Sequence, residues 1–131
     1  RSHFLITQAA LGVLTEGGSI VYIGSVAGLQ PGSQAPAYDA SKAALIGLCR
    51  HVAVEGARRG VRANVVAPGL IDTPLGRQAT EGRPSRAKTP VPLGRSGTAW
   101  EVAAASCFLL SDDASYITGD VLTVDGGLHL I

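Results

Sequence analysis

The feature that most restricts the fold is a strand with no polar side. The run Ser19-Ile20-Val21-Tyr22-Ile23-Gly24 is apolar continuously rather than at alternate positions. A strand of this kind is typical of a parallel sheet that is covered by helices on both faces. The segments before and after it have helical spacing. The run therefore predicts an α/β fold with crossover helices.

The order of the remaining elements supports this fold. We predict helices over residues 3–15, about 37–58 and 99–110, and strands over 19–24, 61–67 and 119–124. Gly60 is expected to end the second helix, and Thr98 with Glu101 has the capping-box pattern of a helix start. The alternation predicts a Rossmann-like, doubly wound parallel sheet. Three strands make a narrow sheet with two bare edges, so we interpret the chain as part of one domain.

Composition and charge exclude several kinds of function. The chain of 131 residues is 46% hydrophobic and has a net charge of +1, so it lacks the basic surface of a nucleic-acid-binding protein. No apolar run reaches the roughly 20 residues of a membrane-spanning helix. The first six residues contain neither an initiator Met nor a small-residue cleavage site, so we expect no signal peptide.

The two cysteines indicate a compartment. Cys49 and Cys107 each lie inside an apolar helical pattern, and we predict that both are buried free thiols. Free thiols are typical of a reducing environment, so we expect a cytoplasmic protein.

Three polar side chains are predicted to meet at the end of the first strand. Ser25 follows this strand, and ligands of open α/β sheets bind beyond the carboxyl ends of strands. Tyr38 and Lys42 are four residues apart at a helix start, so they lie one above the other on one face. An ammonium near a phenol favours its deprotonated form, although a packed phenol and a solvated amine are the ordinary alternatives. The trio suits interconversion of an alcohol and a carbonyl, which normally needs a nicotinamide as hydride carrier.

Other chemistries have less support. A serine hydrolase needs a G-x-S-x-G elbow and a His partner, and Gly24-Ser25-Val26-Ala27-Gly28 lacks the first glycine at the required place. The three histidines, His3, His51 and His129, have no spacing that indicates a base or a metal site. We therefore predict no metal centre.

Residues 72–96 contain Pro, Gly, Arg and Thr with little periodicity, which predicts a functional loop. We expect residues 74–96 to determine the substrate. Between positions 77 and 88 this stretch has four positive side chains and one negative side chain: Arg77, Arg83, Arg86 and Lys88, with Glu81. The loop is either simply solvated or attracts an anionic carrier, such as an acyl thioester on phosphopantetheine. Binding that weakens with salt would favour the carrier.

In order and spacing, these motifs resemble the short-chain dehydrogenase/reductase family. The matching motifs are Ile23-Gly24-Ser25, the helix start from Tyr38 to Lys42, the segment from Asn64 to Thr73, and residues 111–119 and 124–127. They cover nearly all of residues 1–131 and are similar to the carboxyl-terminal half of a family domain. The resemblance implies an NAD(P)-dependent oxidoreductase that interconverts a carbonyl and a secondary alcohol. Its type would be that of 3-oxoacyl-carrier-protein reductases or of the family more generally.

The resemblance also implies a role for each site residue. Tyr38 is the expected general acid and base and is also expected to contact the cofactor. Lys42 is expected to assist Tyr38 and to bind the nicotinamide ribose, and Ser25 is expected to hold the substrate oxygen. Four residues are expected to line the nicotinamide end of NAD or NADP, with Ile71 acting through its backbone amide: Pro68, Gly69, Ile71 and Thr73. The small residues on the helix after Tyr38 are expected to form a homodimer or homotetramer interface: Ala40, Ala44 and Gly47.

Two parts of the family pattern are absent from the sequence. There is no G-x-G-x-x-G turn for the cofactor phosphates. The single Asn of the chain, Asn64, lies on a predicted strand rather than on the helix that carries the family's fourth catalytic residue. The alternative hypothesis is therefore a catalytically inert fragment or interaction module. Such a protein would give no change in nicotinamide fluorescence on titration.

Overall fold

The computed structural model describes residues 1–31, 33, 35–80 and 91–131. In chain order its helices and strands are α1 (Ser2–Val13), β1 (Ser19–Ile23), α2 (Pro36–Gly56), β2 (Arg62–Pro68), β3 (Ile71–Asp72), α3 (Pro74–Thr80), β4 (Gly97–Thr98), α4 (Ala99–Leu110) and β5 (Val121–Val124). None of the helices in these parts of the chain combines the length and the apolar character needed to cross a bilayer.

The main sheet has three parallel strands in the order β1-β2-β5. Ile23 pairs with Val66 across β1 and β2, and Pro68 pairs with Val124 across β2 and β5. The carboxyl ends of all three strands therefore lie along one edge of the sheet. The predicted strands are confirmed to within two residues at each end.

Helices cover both faces of this sheet. Successive residues of β2 point to opposite faces, so Val65 packs in a cluster with residues of α2 such as Leu45 and Cys49. Its neighbour Val66 packs on the other face with Leu109 of α4. The predicted doubly wound α/β arrangement is confirmed.

The helix α2 is the crossover from β1 to β2. It begins with Pro36, whose missing N–H costs nothing at a helix start. A short 3₁₀ turn continues it to Gly60, which has φ of +64° and ends it as predicted. A Cβ added to Gly56 would lie 2.8 Å from the carbonyl oxygen of Val61, so the helix end lies directly against the chain that enters β2.

The predicted capping box at the start of α4 is confirmed. The Thr98 hydroxyl oxygen accepts from the Glu101 N–H at 3.3 Å, and the Glu101 carboxylate accepts from the Thr98 N–H at 2.7 Å. Arg95 also forms an ion pair with Glu101 at 2.6 Å. The Arg95 hydrogen bonds, together with those from Thr98, lower the pKa of Glu101 to about 2.

Part of the predicted loop over residues 72–96 is regular structure. Residues 74–80 form α3, and the Thr73 hydroxyl oxygen accepts from the Gly76 N–H at 3.0 Å at its start. The helix begins with a threonine cap and a proline. Its sequence lacks the apolar periodicity from which the other helices were predicted, so this helix was missed. The strands β3 and β4 pair in parallel on either side of the stretch. Of the charged residues assigned to the loop, Arg77 lies 3.4 Å from Asp72 in an ion pair; the others lie outside the described residues.

Both cysteines were predicted to be buried free thiols, and the predicted burial is wrong for Cys107. Both are free; Cys49 is buried, and burial raises the pKa of its thiol to about 11. Cys107 is exposed. The helix α4 is apolar on almost every side, so its sequence does not reveal which side faces the sheet. The residues that pack there are Val102, Ala105 and Leu109, a spacing that leaves Cys107 on another face.

Candidate functional site

Ser25 lies just beyond the end of β1, as the sequence predicts. Its backbone is extended, with φ of −170°, and it begins a 3₁₀ turn over Val26–Gly28. The Ser25 hydroxyl oxygen accepts a hydrogen bond from the Ala27 N–H at 3.2 Å. This bond orients the oxygen, and the hydroxyl hydrogen can still be donated to a ligand.

Gly28 brings this turn against the start of α2. A Cβ added to Gly28 would lie 2.7 Å from the carbonyl carbon of Lys42 and 2.9 Å from the amide nitrogen of Ala43. Both atoms belong to helix backbone, so a residue with a side chain does not fit without a shift. Sequence analysis did not single out Gly28, because a glycine in a loop with proline is an ordinary turn residue.

Tyr38 and Lys42 lie on the first two turns of α2. The Lys42 ammonium nitrogen is 5.6 Å from the centroid of the Tyr38 ring. The same nitrogen donates to the carbonyl oxygen of Ile23, the last residue of β1, at 3.0 Å. The Tyr38 side chain is 45% exposed and thus accessible to a substrate. Lys42 thus contacts the end of β1, Tyr38 lies beside Lys42, and Ser25 follows Ile23 by two residues.

Pro68 and Gly69 form the corresponding end of β2. The Gly69 N–H donates to the carbonyl oxygen of Val124 at 3.1 Å. A Cβ added to Gly69 would lie 2.6 Å from the Cβ of Asp125. Glycine is needed here because another part of the same chain packs on the turn.

Ile71 and Thr73 continue the chain from this turn. Ile71 is half-buried, and its Cδ1 lies 2.9 Å from the position that a Cβ on Gly97 would take. The Thr73 hydroxyl oxygen caps α3, which leaves the hydroxyl hydrogen available for donation. Pro68 is thus the last residue of β2, and Gly69, Ile71 and Thr73 follow it along the chain.

Asn64 has a structural role. Its side chain is fully buried in β2, where Nδ2 donates to the Ile117 carbonyl at 2.9 Å and Oδ1 accepts from the Asp120 N–H at 3.1 Å. These bonds join β2 to the segment that enters β5. The geometry agrees with its exclusion from the predicted site.

Asp125 and His129 were missed by sequence analysis. The Asp125 side chain is 4% exposed, and its Oδ2 lies 2.6 Å from the His129 Nδ1. Burial tends to raise the pKa of Asp125, but hydrogen bonds from the His129 backbone, the His129 ring and the Gly127 N–H outweigh it and hold that pKa below its usual value. The available signal was position, because Asp125 follows the third strand as Ser25 follows the first.

A separate open groove of about 720 Å³ lies beside β3 and β4. It is lined by Asp72, Arg95, Ser96, Gly97, Thr98 and Glu101. Arg95 and Glu101 already pair with each other at the start of α4, and none of Ser25, Tyr38 or Lys42 lines the groove. We therefore place the candidate active site at the strand ends.

Comparison with known proteins finds a matching family model and relatives of similar sequence. The family model described as enoyl-(acyl carrier protein) reductase matches residues 1–129. The human 3-oxoacyl-[acyl-carrier-protein] reductase is 48% identical over 116 residues, which are 88% of this chain and 47% of the relative. The reductase MabA of Mycobacterium avium is 46% identical over 129 residues, which are 97% of this chain and 51% of the relative. The chain thus spans about half the length of the curated relatives that it matches.

Solved structures agree with these matches. A short chain dehydrogenase family protein from Francisella tularensis superposes with a TM-score of 0.90 at 29% identity, over 99% of this chain and 58% of that one. Levodione reductase superposes with a TM-score of 0.89 at 36% identity, over 97% of this chain and 53% of that one. A third structure is a candidate 2-deoxy-D-gluconate 3-dehydrogenase from Agrobacterium tumefaciens, solved with bound NADP. It superposes with a TM-score of 0.87 at 35% identity, over 98% of this chain and 55% of that one.

Proposed function

The chain belongs to the short-chain dehydrogenase/reductase family, and from this premise we propose that it is part of an NAD(P)-dependent oxidoreductase. Residues 1–131 would form the carboxyl-terminal portion of one Rossmann-fold domain. The proposed reaction is interconversion of a carbonyl and a secondary alcohol. Relatives described as 3-oxoacyl-[acyl-carrier-protein] reductases support a 3-oxoacyl thioester as the substrate class.

The observation that carries this proposal is the position of the Lys42 ammonium. It lies between the carbonyl oxygen of Ile23, at 3.0 Å, and the Tyr38 ring, 5.6 Å from the centroid. The bond to the strand end holds the ammonium near the phenol. This arrangement supports proton exchange at Tyr38 next to the hydroxyl of Ser25.

The donors at the strand ends fit the nicotinamide end of a dinucleotide. The Thr73 hydroxyl oxygen accepts a backbone N–H, so its hydroxyl hydrogen can be donated outward. Lys42 uses one of its three N–H donors on Ile23. Ribose hydroxyls and a carboxamide oxygen are suitable acceptors for these donors. The sequence contains no G-x-G-x-x-G turn that would hold the phosphates.

In the direction of reduction, the chain's own residues act on the substrate oxygen. Bound NADH or NADPH supplies the hydride that the carbonyl carbon receives. The Tyr38 hydroxyl transfers its proton to the carbonyl oxygen, beside the positive charge of Lys42. The Ser25 hydroxyl donates a hydrogen bond to the same oxygen as its negative charge grows. The product is a secondary alcohol, and Tyr38 regains a proton from solvent.

Tyr38→Phe tests this assignment in the protein expressed from its complete reading frame. General acid–base catalysis contributes roughly 10²–10⁴-fold, so kcat should fall by at least about 100-fold. The dissociation constant for NADPH, measured by fluorescence, should stay nearly constant because the ring remains. Tyr116→Phe is the matched control, since Tyr116 is fully exposed. Retained turnover in Tyr38→Phe would exclude the acid–base role.

The absence of a phosphate-binding turn favours a second candidate function. A chain without it could act as an inert fragment or an interaction module. Titration with NADH and NADPH separates the two proposals. A saturable change in fluorescence supports the enzyme, and no change supports the inert fragment.

We also propose assembly as a homodimer or homotetramer in the cytoplasm. Ala40, Ala44 and Gly47 are exposed on one side of α2. A Cβ on Gly47 would have no heavy atom within 4 Å. Small side chains on an open helix face allow a second helix to approach closely.

A further inference from the structure

Asp125 lies at the third strand end of the main sheet. Since Pro68 pairs with Val124, the next residues, Gly69 and Asp125, lie side by side. A Cβ on Gly69 would be 2.6 Å from the Cβ of Asp125 and 2.9 Å from its Cα. The Pro68-Gly69 turn therefore rests directly on Asp125.

The Asp125 carboxylate is itself held by three hydrogen bonds. Oδ1 accepts from the Gly127 N–H at 3.0 Å, and Oδ2 accepts from the His129 N–H at 2.8 Å. The ring nitrogen Nδ1 of His129 lies 2.6 Å from Oδ2. A nearly buried side chain with this many partners has one position, so whatever packs on it is also fixed.

The turn formed by residues 125–127 also contacts the segment 91–93, which leads to β4. The Leu93 N–H donates to the Gly126 carbonyl at 3.1 Å. A Cβ on Gly126 would lie 2.7 Å from a Val91 methyl, and one on Gly127 would lie 3.0 Å from Pro92. Both glycines also have positive φ, of +62° and +88°. Residues 125–127 thus contact both the end of β2 and the segment 91–93.

We infer that Asp125 is a positioning residue: held by His129, it sets the place of the Pro68-Gly69 turn. The consequence for binding rests on the proposed function, in which this turn lines the nicotinamide end of the cofactor. Asp125 acts through Gly69 and has no part in proton transfer. Loss of its carboxylate should loosen the turn and weaken dinucleotide binding.

Asp125→Asn tests the inference without a change of size. In either orientation of the amide, its NH₂ group faces a backbone N–H, that of Gly127 or that of His129. The control is Asp113→Asn, because Asp113 is exposed in the turn before β5. We expect amide hydrogen exchange in peptides containing Gly69 to become about tenfold faster in Asp125→Asn and to stay unchanged in Asp113→Asn. The dissociation constant for NADPH should rise by about tenfold, which corresponds to the loss of one hydrogen bond of ordinary strength.

A second variant covers the case in which Asp125→Asn does not fold. His129→Ala keeps both backbone hydrogen bonds to Asp125 and removes only the ring, so it should give the same effects at smaller size. The pH dependence of kcat should be that of the wild type in every variant. A shifted pH profile with unchanged exchange would overturn the inference, because Asp125 would then act on proton transfer. Unchanged exchange at Gly69 in the folded variants would also overturn it.

These measurements keep the two proposals apart. If the wild-type protein neither binds dinucleotides nor reduces a carbonyl, the proposed function fails, and exchange at Gly69 still decides the positioning role. The wild-type protein could instead bind NADPH and reduce a carbonyl, while Asp125→Asn and Asp113→Asn have its dissociation constant and its exchange rate at Gly69. In that case only the positioning role fails.

Discussion

Gly28→Ala is the substitution that should most directly separate Ser25 from Tyr38 and Lys42. The added methyl group would lie 2.7 Å from the Lys42 carbonyl carbon, against about 3.4 Å for the start of ordinary contact. The 3₁₀ turn must therefore move by about 0.7 Å, since the opposing atoms are helix backbone. Overpacking of this kind typically costs about 1–3 kcal/mol of stability.

The shift should also reduce turnover. Ser25 begins the turn that Gly28 ends, so it moves with the turn, whereas Tyr38 and Lys42 stay on α2. A displacement near 1 Å at a catalytic group costs about 100-fold, so we expect kcat to fall by roughly 10–100-fold. NADPH binding should change little, because Pro68, Gly69 and Thr73 lie on other elements.

The assay combines steady-state kinetics, fluorescence titration with NADPH and denaturant unfolding. Gly12→Ala is the matched control: Gly12 is on α1 with no heavy atom within 4 Å of an added Cβ. The control should keep its activity and gain roughly 0.5–1 kcal/mol of stability, since alanine is the better helix former. Wild-type stability and turnover in Gly28→Ala would refute the reasoning that this contact positions Ser25.

Two further predictions concern α4 and α2. The pKa of Glu101 is lowered from 4.5 to about 2, so its carboxylate stabilises the fold above pH 4.5, and this stabilisation is lost as the pH falls from 4.5 towards 2. The difference in Tm between the wild type and Glu101→Gln should therefore shrink over that range, and a gap independent of pH would contradict the capping role. Gly47→Leu should dissociate the proposed oligomer in sedimentation velocity experiments; an unchanged sedimentation profile would refute the interface on α2.

The sequence predicted the elements whose signals are local. The continuous apolar run before Ser25 identified β1, and the spacing of Thr98 and Glu101 identified the start of α4. Because parallel strands end at one edge, the position of Ser25 relative to β1 was enough to place the candidate site. The helical period predicted that Tyr38 and Lys42 share a face, whereas their selection as site residues depended on Ser25 upstream and on the resemblance to the short-chain dehydrogenase/reductase family.

The features that the sequence did not predict depend on contacts between distant segments. Gly28 is special only because α2 lies 2.7 Å from its missing Cβ. Asp125 and Gly69 are 56 positions apart and meet through the register of β2 and β5. The exposure of Cys107 depends on which side of an almost wholly apolar helix faces the sheet.

The crossover α2 determines which parts of the chain can change length. Its 21 residues run without interruption from Pro36 to Gly56, and the far end lies against Val61 at the entry to β2. Each residue of an α-helix adds a turn of about 100°. A one-residue deletion in its middle would swing Tyr38 and Lys42 about 100° away from the end of β1, while the packed half of the helix stayed in place. We therefore expect insertions and deletions between Lys42 and Gly56 to disrupt the candidate site, whereas a surface loop can vary in length at little cost.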